Sequence, residues 1–321
     1  MTRWPNHVSP WREWREAMSG ARMHHGWILA GKAGLGKRDF AEAAARELVA
    51  EPGVPQPKGN HPDILVLTYL PKDEKEEKKR DEGQAYEVKR NITVAQIRGL
   101  QQRLTTRPTL GSRRVVIIDP ADDLERSASN ALLKSLEEPP QGTFFVLVAH
   151  RPGRLLSTIR SRCRVLRFPL IPDAEIAQLL ANEEPQADSV ARNTAIAAAG
   201  GSLGAAKRFI EEDLGPVADL IGTIVRKGDP RMEMRARLAQ AIGPRPDRSR
   251  IQSVIELARG IVADEARQDA TSRGLALIET YQELVELAAQ APTYNFDSGL
   301  LVMEIGGLLA RAAEASERAD V

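Results

Sequence analysis

The sequence predicts an α/β domain built on a parallel sheet, followed by a part that is entirely helical. Three observations lead to this prediction. Short apolar runs alternate with segments of helical periodicity up to Phe168, which is the pattern of a doubly wound sheet. The first apolar run leads into a glycine-rich loop and then into a helix. After Pro172 the strand patterns cease and alanine-rich helical segments follow.

Composition sets the broad class of the protein. The chain has 321 residues, enough for two or three domains, and a formal net charge of +1, which excludes a global basic field that would attract nucleic acid. Its single cysteine, Cys163, excludes an internal disulfide and a zinc site made of cysteines. No apolar run approaches the roughly 18 residues of a membrane span, and residues 1–22 lack the apolar core of a signal peptide. We therefore expect a cytoplasmic protein with no membrane contact.

A phosphate-binding pattern follows the first strand, Trp27 to Ala30. Gly31, Gly36 and Lys37 supply the fixed positions of the pattern G-x-x-x-x-G-K, and Gly34 is a further glycine inside it. In such loops the glycines let backbone N–H groups close on phosphates, and the lysine reaches the terminal ones. The next residue should carry the hydroxyl that ligates Mg²⁺, but it is Arg38. The sequence therefore predicts a nucleotide-binding loop that lacks one metal ligand.

The remaining elements of the domain follow in chain order. A helix with Phe40, Ala44 and Leu48 on one face follows the loop, and the capping box of Thr93 and Gln96 predicts the start of another. A third helix, over 127–138, is stopped by two prolines. Apolar runs predict further strands over 63–67, 115–119, 144–149 and 165–168, the last two buried.

The stretch from Lys72 to Arg90 consists almost entirely of charged residues. Such a stretch cannot bury an apolar face, so we expect an exposed and mobile excursion. A role for its lysines in nucleic-acid binding is the alternative. The interleaved acidic residues leave no net attractive field, which favours the solvated loop.

A carboxylate, Asp119, ends the strand over 115–119 and stands in the arrangement of a Walker B residue. Together with the glycine loop, it predicts the P-loop NTPase fold; the alternative for Asp119 is a turn or capping residue. Pro120 occupies the position where a hydrolysing enzyme needs a carboxylate to orient water, and Asp122 is expected to point elsewhere. With Arg38 and Pro120 both present, we expect no efficient hydrolysis.

An arginine, Arg162, lies between a helix and the last strand, within Ser161-Arg162-Cys163. In a ring of subunits such an arginine can enter the neighbour's nucleotide pocket and stabilise phosphoryl charge. From spacing alone, a surface arginine in a local ion pair is the better supported interpretation. Cys163 beside it is expected to be a small buried residue and not a nucleophile.

Several strings in the chain resemble the clamp-loader branch of the AAA+ family. They are Asn60-His61-Pro62-Asp63, the run NALLKSLEEPP over 130–140, and the Ser-Arg-Cys string. The defective loop, Pro120 and the string GSLG over 201–204 resemble in particular the delta-prime family of bacterial DNA polymerase III subunits. The resemblance covers residues 20–210, and the rest matches only as a helical domain of suitable length.

The resemblance implies an architecture and partners. It implies an AAA+ P-loop domain over 1–168, a small helical lid domain over 169–213 and a helical collar domain over 214–321, in a C-shaped subunit of a five-membered hetero-oligomeric ring. It implies a rigid stator that, with the ATP-hydrolysing tau/gamma subunits and the delta subunit, loads the sliding clamp on primed DNA. Arg162 then takes the role of an arginine finger, and Lys37 and Asp119 map to the Walker positions. Gly204 stands where the active motor carries a nucleotide-sensing arginine.

One departure from the family concerns metal. Many relatives carry a four-cysteine zinc module after the P-loop helix, whereas residues 47–59 contain no cysteine and His61 is a lone imidazole. We therefore predict no zinc and no other metal. Whether ATP or ADP is bound without turnover stays open, because Arg38 can either assist or block a nucleotide in the loop.

Two further functions stay open at this stage. One is a competent AAA+ ATPase, either the clamp-loader motor or another DNA-remodelling enzyme, which would need a hydroxyl at position 38 and an acid at position 120. The other is a plain nucleotide- or DNA-binding module in which Arg107, Arg113 and Arg114 contact phosphates. Against that patch stands the simpler interpretation that these arginines are solvated at the foot of a strand.

Overall fold

Five parallel strands form the centre of the first of two compact units, Met1–Leu170. The computed structural model describes residues 4–20, 23–244, 246, 248–269, 272–290 and 298–317, so part of the segment on which the signal-peptide prediction rests lies outside the described residues. The strands are β1 (Gly26–Ala30), β2 (Ile64–Leu67), β3 (Arg114–Ile118), β4 (Thr143–Ala149) and β5 (Arg164–Arg167). Their order is β2-β3-β4-β1-β5, which confirms the predicted α/β class with a parallel sheet.

The helices of this unit are α1 (Val8–Ser19), α2 (Lys37–Val49), α3 (Glu74–Asp81), α4 (Val94–Leu104), α5 (Arg126–Glu137) and α6 (Ser157–Arg160). Helix α1 precedes the first strand, and the other helices of this unit lie between strands in the sequence. The predicted capping box is confirmed at α4, where the Thr93 backbone N–H donates to Gln96 Oε1 at 3.1 Å. Helix α2 begins directly at the glycine loop, so the loop's geometry is set by a strand on one side and a helix on the other.

The central strand β1 is buried along its whole length, as expected for a parallel strand covered on both faces. Aromatic rings cover one side of it. The rings of Trp14 and Trp27 lie 5.2 Å apart, and that of Phe40 lies 6.2 Å from Trp14 and 4.4 Å from Trp11. This packing joins α1 and α2 to the strand that carries the glycine loop.

Strand β5 corrects one prediction, because it is not a buried strand. Arg164, Val165 and Arg167 are exposed, and only Leu166 is buried. The reason is its place at the edge of the sheet, where it pairs only with β1. The apolar run suggested burial, but within β5 only Leu166 faces the core, so this strand is not covered on both faces.

The charged stretch over 72–90 also differs from the prediction, because it contains a helix and one buried carboxylate. Asp73 caps α3 by accepting a hydrogen bond from the Glu76 backbone N–H at 3.0 Å. Glu76 is buried and accepts from Lys79 Nζ at 2.6 Å and from the Glu87 backbone N–H at 2.7 Å. These donors satisfy the carboxylate, so a charged residue can be buried here. Most of the remaining residues are exposed, as predicted, and the mobility of the stretch stays a prediction.

The second unit, Ile171–Val321, consists of helices over the residues that the structure describes. They are α7 (Asp173–Glu183), α8 (Ser189–Ala199), α9 (Leu203–Glu211), α10 (Gly215–Lys227), α11 (Glu233–Ile242), α12 (Arg248–Gln268), α13 (Ser272–Gln290) and α14 (Ser298–Glu317). The division of this part into lid and collar domains stays a prediction. No helix among the described residues of the whole chain is long and apolar enough to span a membrane.

Candidate functional site

The candidate site lies where three adjacent strands end. The strands β3, β4 and β1 are neighbours in the sheet. Along the chain, Asp119 directly follows β3, His150 follows β4 and Gly31 follows β1. The Gly31 backbone N–H donates to the Ala149 carbonyl at 3.3 Å, which ties the start of the loop to the end of β4. Because the strands are parallel, their carboxyl ends meet at one edge, which is where open α/β sheets bind ligands.

The glycine loop is held by residues near the start of the chain. Gly34 and Gly36 have φ angles of 76° and 71°, a left-handed conformation that favours glycine. The ring of Trp4 lies where a Cβ atom on Gly36 would be, and its Nε1 donates to Asp39 Oδ2 at 2.8 Å. His7 Nε2 lies 2.9 Å from the Leu35 carbonyl oxygen. Sequence reasoning missed these contacts, since nothing local connects the first residues to the loop.

Lys37 is placed to meet a phosphate. It is 2% exposed, and its Nζ donates to the carbonyls of Gly31 at 2.7 Å and Lys32 at 2.6 Å. An ammonium group has three donors, so one is left for a ligand. Burial lowers the pKa of Lys37 to about 8, and the nearby charges of Asp119 and Asp122 oppose that shift.

Arg38 and Asp119 form an ion pair across the site, at 3.2 Å between Arg38 Nη1 and Asp119 Oδ2. Arg38 Nε also lies 2.6 Å from Glu42 Oε1 on the next turn of α2. A guanidinium group has no lone pair to offer a metal. Its positive charge therefore stands at the carboxylate on which this kind of site relies for Mg²⁺. The residues present do not fit a magnesium ion held in the usual way.

Asp122 does not supply the carboxylate that Pro120 lacks. It is buried, and its two oxygens accept hydrogen bonds from the backbone N–H groups of His150 at 2.9 Å and Arg151 at 3.1 Å. Its role is thus to hold the chain after β4, in agreement with the expectation that it points away from the reacting position. No acidic residue is therefore aimed from 120 or 122 at a water beside the loop.

His150 is a candidate residue that sequence reasoning missed. Its Nδ1 atom is buried with no hydrogen-bond partner among the described residues. Burial, followed by the charge of Lys37, lowers its pKa, while Asp122, Asp119 and Asp123 oppose that shift. The signal that could have found it is its place directly after the apolar run of β4, at the same edge as Asp119.

Arg162 lies at the amino ends of the parallel strands, and the glycine loop lies at their carboxyl ends. It follows α6 and precedes β5, whose first residue, Arg164, is in register with Trp27 near the start of β1. The glycine loop begins after Ala30, at the other end of β1. At about 3.3 Å per residue, the five residues of β1 separate the two positions by roughly 16 Å. The structure therefore does not bring Arg162 together with Lys37 and Asp119 of the same chain.

The surroundings of Arg162 are local. Its Nη2 lies 2.8 Å from Glu137 Oε1, and its Nη1 donates to the Thr158 carbonyl at 3.0 Å. The side chain is 36% exposed, so a partner can reach it. Next to it, burial raises the pKa of the Cys163 thiol to about 12, so this residue is not a thiolate nucleophile at neutral pH.

The arginine patch that the sequence suggested is not formed by Arg114. Arg114 is buried and donates to the carbonyls of Arg103 at 2.9 Å, Thr106 at 3.1 Å and Arg107 at 2.8 Å. Its Nη2 also lies 3.7 Å from Asp63 Oδ1. Both earlier interpretations, a phosphate contact and a solvated arginine, are wrong for this residue, because it is buried and its Nη1 and Nη2 groups donate to carbonyls before β3.

The turn before β3 also explains the carboxylate of the string Asn60 to Asp63. Asp63 is fully buried and accepts hydrogen bonds from the backbone N–H groups of Thr109 at 2.6 Å and Leu110 at 2.8 Å. Thr109 and Leu110 are distant from Asp63 in the sequence, so these hydrogen bonds are structural contacts between remote parts of the chain. The string therefore marks a folding requirement at the amino edge of the sheet, and not a catalytic group.

The loop that follows α2 is closed by an arginine. The Arg46 guanidinium donates to the carbonyls of Pro57 at 3.1 Å and Gly59 at 2.7 Å. His61 Nε2 lies 2.9 Å from Gln56 Oε1. Within the described ranges, no group of three or more His, Cys, Asp or Glu side chains is arranged to hold a metal ion.

Comparisons with known proteins show which family this chain is similar to. A family profile described as "DNA polymerase III, delta subunit" matches residues 7–172. DNA polymerase III subunit delta' of Pseudomonas aeruginosa is 33% identical over 63% of this chain and 61% of its own length. The delta' subunit of Bacillus subtilis is 33% identical over 48% of this chain and 45% of its own length. The delta' subunit of Escherichia coli is 30% identical over 60% of this chain and 56% of its own length. The chain thus spans less than two thirds of these relatives. A DNA polymerase III gamma subunit-related protein of Thermotoga maritima superposes with a TM-score of 0.47 at 17% identity, covering 96% of this chain and 99% of its own.

Proposed function

The chain belongs to the DNA polymerase III delta subunit family, and from this premise we propose that it is a delta-prime-like subunit of a clamp-loader complex. In this role it does not hydrolyse ATP. It acts as a stator beside the tau/gamma motor and delta subunits in a hetero-oligomeric ring that loads the sliding clamp on primed DNA. It also supplies Arg162 as an arginine finger to a neighbouring ATPase site.

The absence of hydrolysis is supported by the chemistry of the site. Arg38 stands in place of the metal-binding hydroxyl and pairs with Asp119 at 3.2 Å. Position 120 is a proline, and Asp122 is engaged with backbone N–H groups. A nucleotide in this loop would therefore meet neither a metal ligand at position 38 nor an acid that orients water. ATP or ADP can still be held by the loop without turnover.

The observation that carries the finger role is the position of Arg162 at the edge of the sheet opposite to its own loop. The two are separated by the length of β1, which is roughly 16 Å at the usual rise of a parallel strand. An arginine so placed cannot act on a nucleotide in its own loop. It is accessible at 36% side-chain exposure, and an adjacent subunit's loop is the site that it can serve.

The proposal is tested by measuring ATPase rates of the cognate tau/gamma and delta subunits, with clamp and primed DNA, with and without this chain. Arg162→Ala is expected to lower the rate of the complete complex while size-exclusion chromatography shows an intact assembly. In simpler GTPases, losing such an arginine lowers the catalytic rate by a factor on the order of 10³ or more. The rate of a ring with several sites should fall by less. Arg160→Ala is the matched control, because Arg160 is an exposed arginine at the end of the same short helix.

Two outcomes would contradict the proposal. An unchanged rate with Arg162→Ala would remove the finger role. Robust turnover by the purified chain with Mg²⁺, abolished by Lys37→Ala, would instead favour the competent ATPase.

A further inference from the structure

The site at the carboxyl edge keeps the parts that bind phosphate and has lost the part that holds magnesium. The left-handed Gly34 and Gly36 shape the loop at the start of α2. The first backbone N–H groups of a helix have no partner within the helix, and the helix dipole there favours an anion. Lys37 is fixed by two loop carbonyls at 2.7 and 2.6 Å and retains one N–H donor. These features favour binding of a phosphate chain whether or not a metal accompanies it.

Arg38 supplies a permanent positive charge where the metal would be. Its guanidinium is held by Asp119 at 3.2 Å and Glu42 at 2.6 Å, so its position is set before a ligand arrives. With five N–H donors, it keeps some free after these contacts, and the side chain is 34% exposed. A divalent cation at Asp119 would have to approach this charge closely, which opposes its entry.

A third group in the same cluster has an unmet hydrogen-bonding capacity. His150 Nδ1 is buried without a hydrogen-bond partner in the described part of the chain. The charges that act on His150 include Lys37, Asp119 and Asp122, so it belongs to this site and not to another pocket. A phosphate oxygen is a partner that would satisfy the imidazole.

We propose that this loop binds nucleoside diphosphates and triphosphates without a divalent cation, with Arg38 taking the charge-neutralising place of Mg²⁺. This inference rests on the proposed non-hydrolysing role and specifies the state of its nucleotide. Metal-free binding provides a nucleotide that is held and not consumed, because no metal activates its terminal phosphate and no acid orients a water.

The test is isothermal titration calorimetry of the full chain with ADP, and separately with ATP, in excess EDTA and in excess Mg²⁺. The expected result is a Kd in EDTA equal to, or lower than, that in Mg²⁺. Absence of binding in both buffers would overturn the proposal, and so would binding at least tenfold tighter in Mg²⁺. This comparison uses the unaltered chain, so it does not depend on how any variant folds.

Variants then assign the effect to the named groups. Arg38→Thr places the missing hydroxyl in the loop and is expected to make ADP binding at least tenfold weaker in EDTA than in Mg²⁺. Arg38→Gln removes the charge without adding a metal ligand and should weaken binding in both buffers alike. Equal Kd values in EDTA and Mg²⁺ for Arg38→Thr, with wild-type affinity, would show that Arg38 does not replace the metal. Thermal unfolding of each variant checks that the fold is retained.

This result is independent of the finger assay. Failure to bind ADP would end the metal-free proposal and leave the effect of Arg162→Ala on the complex untouched. Conversely, an unchanged ATPase rate of the complex with Arg162→Ala would remove the finger role. The comparison of ADP binding in EDTA and in Mg²⁺ would be unaffected.

Discussion

Arg162 Nη2 lies 2.8 Å from Glu137 Oε1, and this ion pair joins the run NALLKSLEEPP over 130–140 to the Ser-Arg-Cys string. Glu137 is the last residue of α5, and Arg162 follows α6. Both side chains are partly exposed, at 36% and 48%. The local ion pair anticipated from spacing is therefore present, and it does not exclude a second role, because an exposed pair of this kind is easily exchanged for another partner.

We expect Arg162→Ala and Glu137→Ala each to change the free energy of unfolding by less than about 1 kcal/mol, since exposed ion pairs contribute little. Urea denaturation followed by circular dichroism measures this. A loss above about 2 kcal/mol would mean that the pair is structural, and the complex assay would then need Arg162→Lys as an additional variant.

Asp63→Ala is expected to lower the free energy of unfolding by about 3 kcal/mol. The substitution leaves the backbone N–H groups of Thr109 and Leu110 without their acceptor and removes the carboxylate beside buried Arg114. Arg113→Ala is the control in the same turn, since its guanidinium makes one longer bond, at 3.3 Å to the Leu48 carbonyl. Equal unfolding midpoints for the two variants would contradict the structural role assigned to Asp63.

Gly36→Ala is expected to destabilise the chain more than Gly53→Ala. Both glycines have left-handed φ angles, of 71° and 79°, so both substitutions carry a backbone cost of about 1–2 kcal/mol. A Cβ atom on Gly36 would also collide with the Trp4 ring, whereas nothing lies within 4 Å of one on Gly53. Thermal unfolding compares them, and adding Trp4→Ala to Gly36→Ala should recover the difference. No recovery would show that Trp4 does not press on the loop.

Binding of ADP in EDTA is expected to weaken as pH rises through 8. Burial lowers the pKa of Lys37 to about 8, so the free site loses this ammonium above that pH while Asp119, Asp122 and the neutral His150 remain. The Kd should rise by up to about tenfold per pH unit, the slope for one proton, and stay nearly flat just below neutrality. In Lys37→Arg the guanidinium stays charged, which should flatten the profile. Equal affinities at about pH 7 and 9.5 for the unaltered chain would contradict this assignment.

Much of the first unit was predictable because its signals are local. Apolar runs marked all the strands, and the pairing of Thr93 with Gln96 marked the start of α4. The glycine loop, Lys37 and Asp119 were placed at one edge because parallel strands share a direction. The partner of Arg38 could not be foreseen, since it depends on the distance between two elements that are remote in the sequence.

The misses share a physical cause, which is that burial and pairing depend on distant residues. Arg114 had the sequence context of a surface arginine, but carbonyls of the preceding turn bury it. Val165 had the context of a core strand, but it lies on an edge strand and is exposed. Trp4 and His150 reach the site only through the fold. Local patterns report which elements form, and they do not report which side chains those elements bring together.

The opposite placement of the glycine loop and Arg162 determines which contacts a substitution at either site affects. Arg38 and Pro120 lie at the carboxyl edge of the sheet, while Arg162 is supported by α5, α6 and β5 at the amino edge. A change at the glycine loop therefore acts on different contacts from those that hold Arg162. Under the proposed function, a subunit built in this way can do without its own hydrolysis while Arg162 keeps its place for a neighbouring subunit.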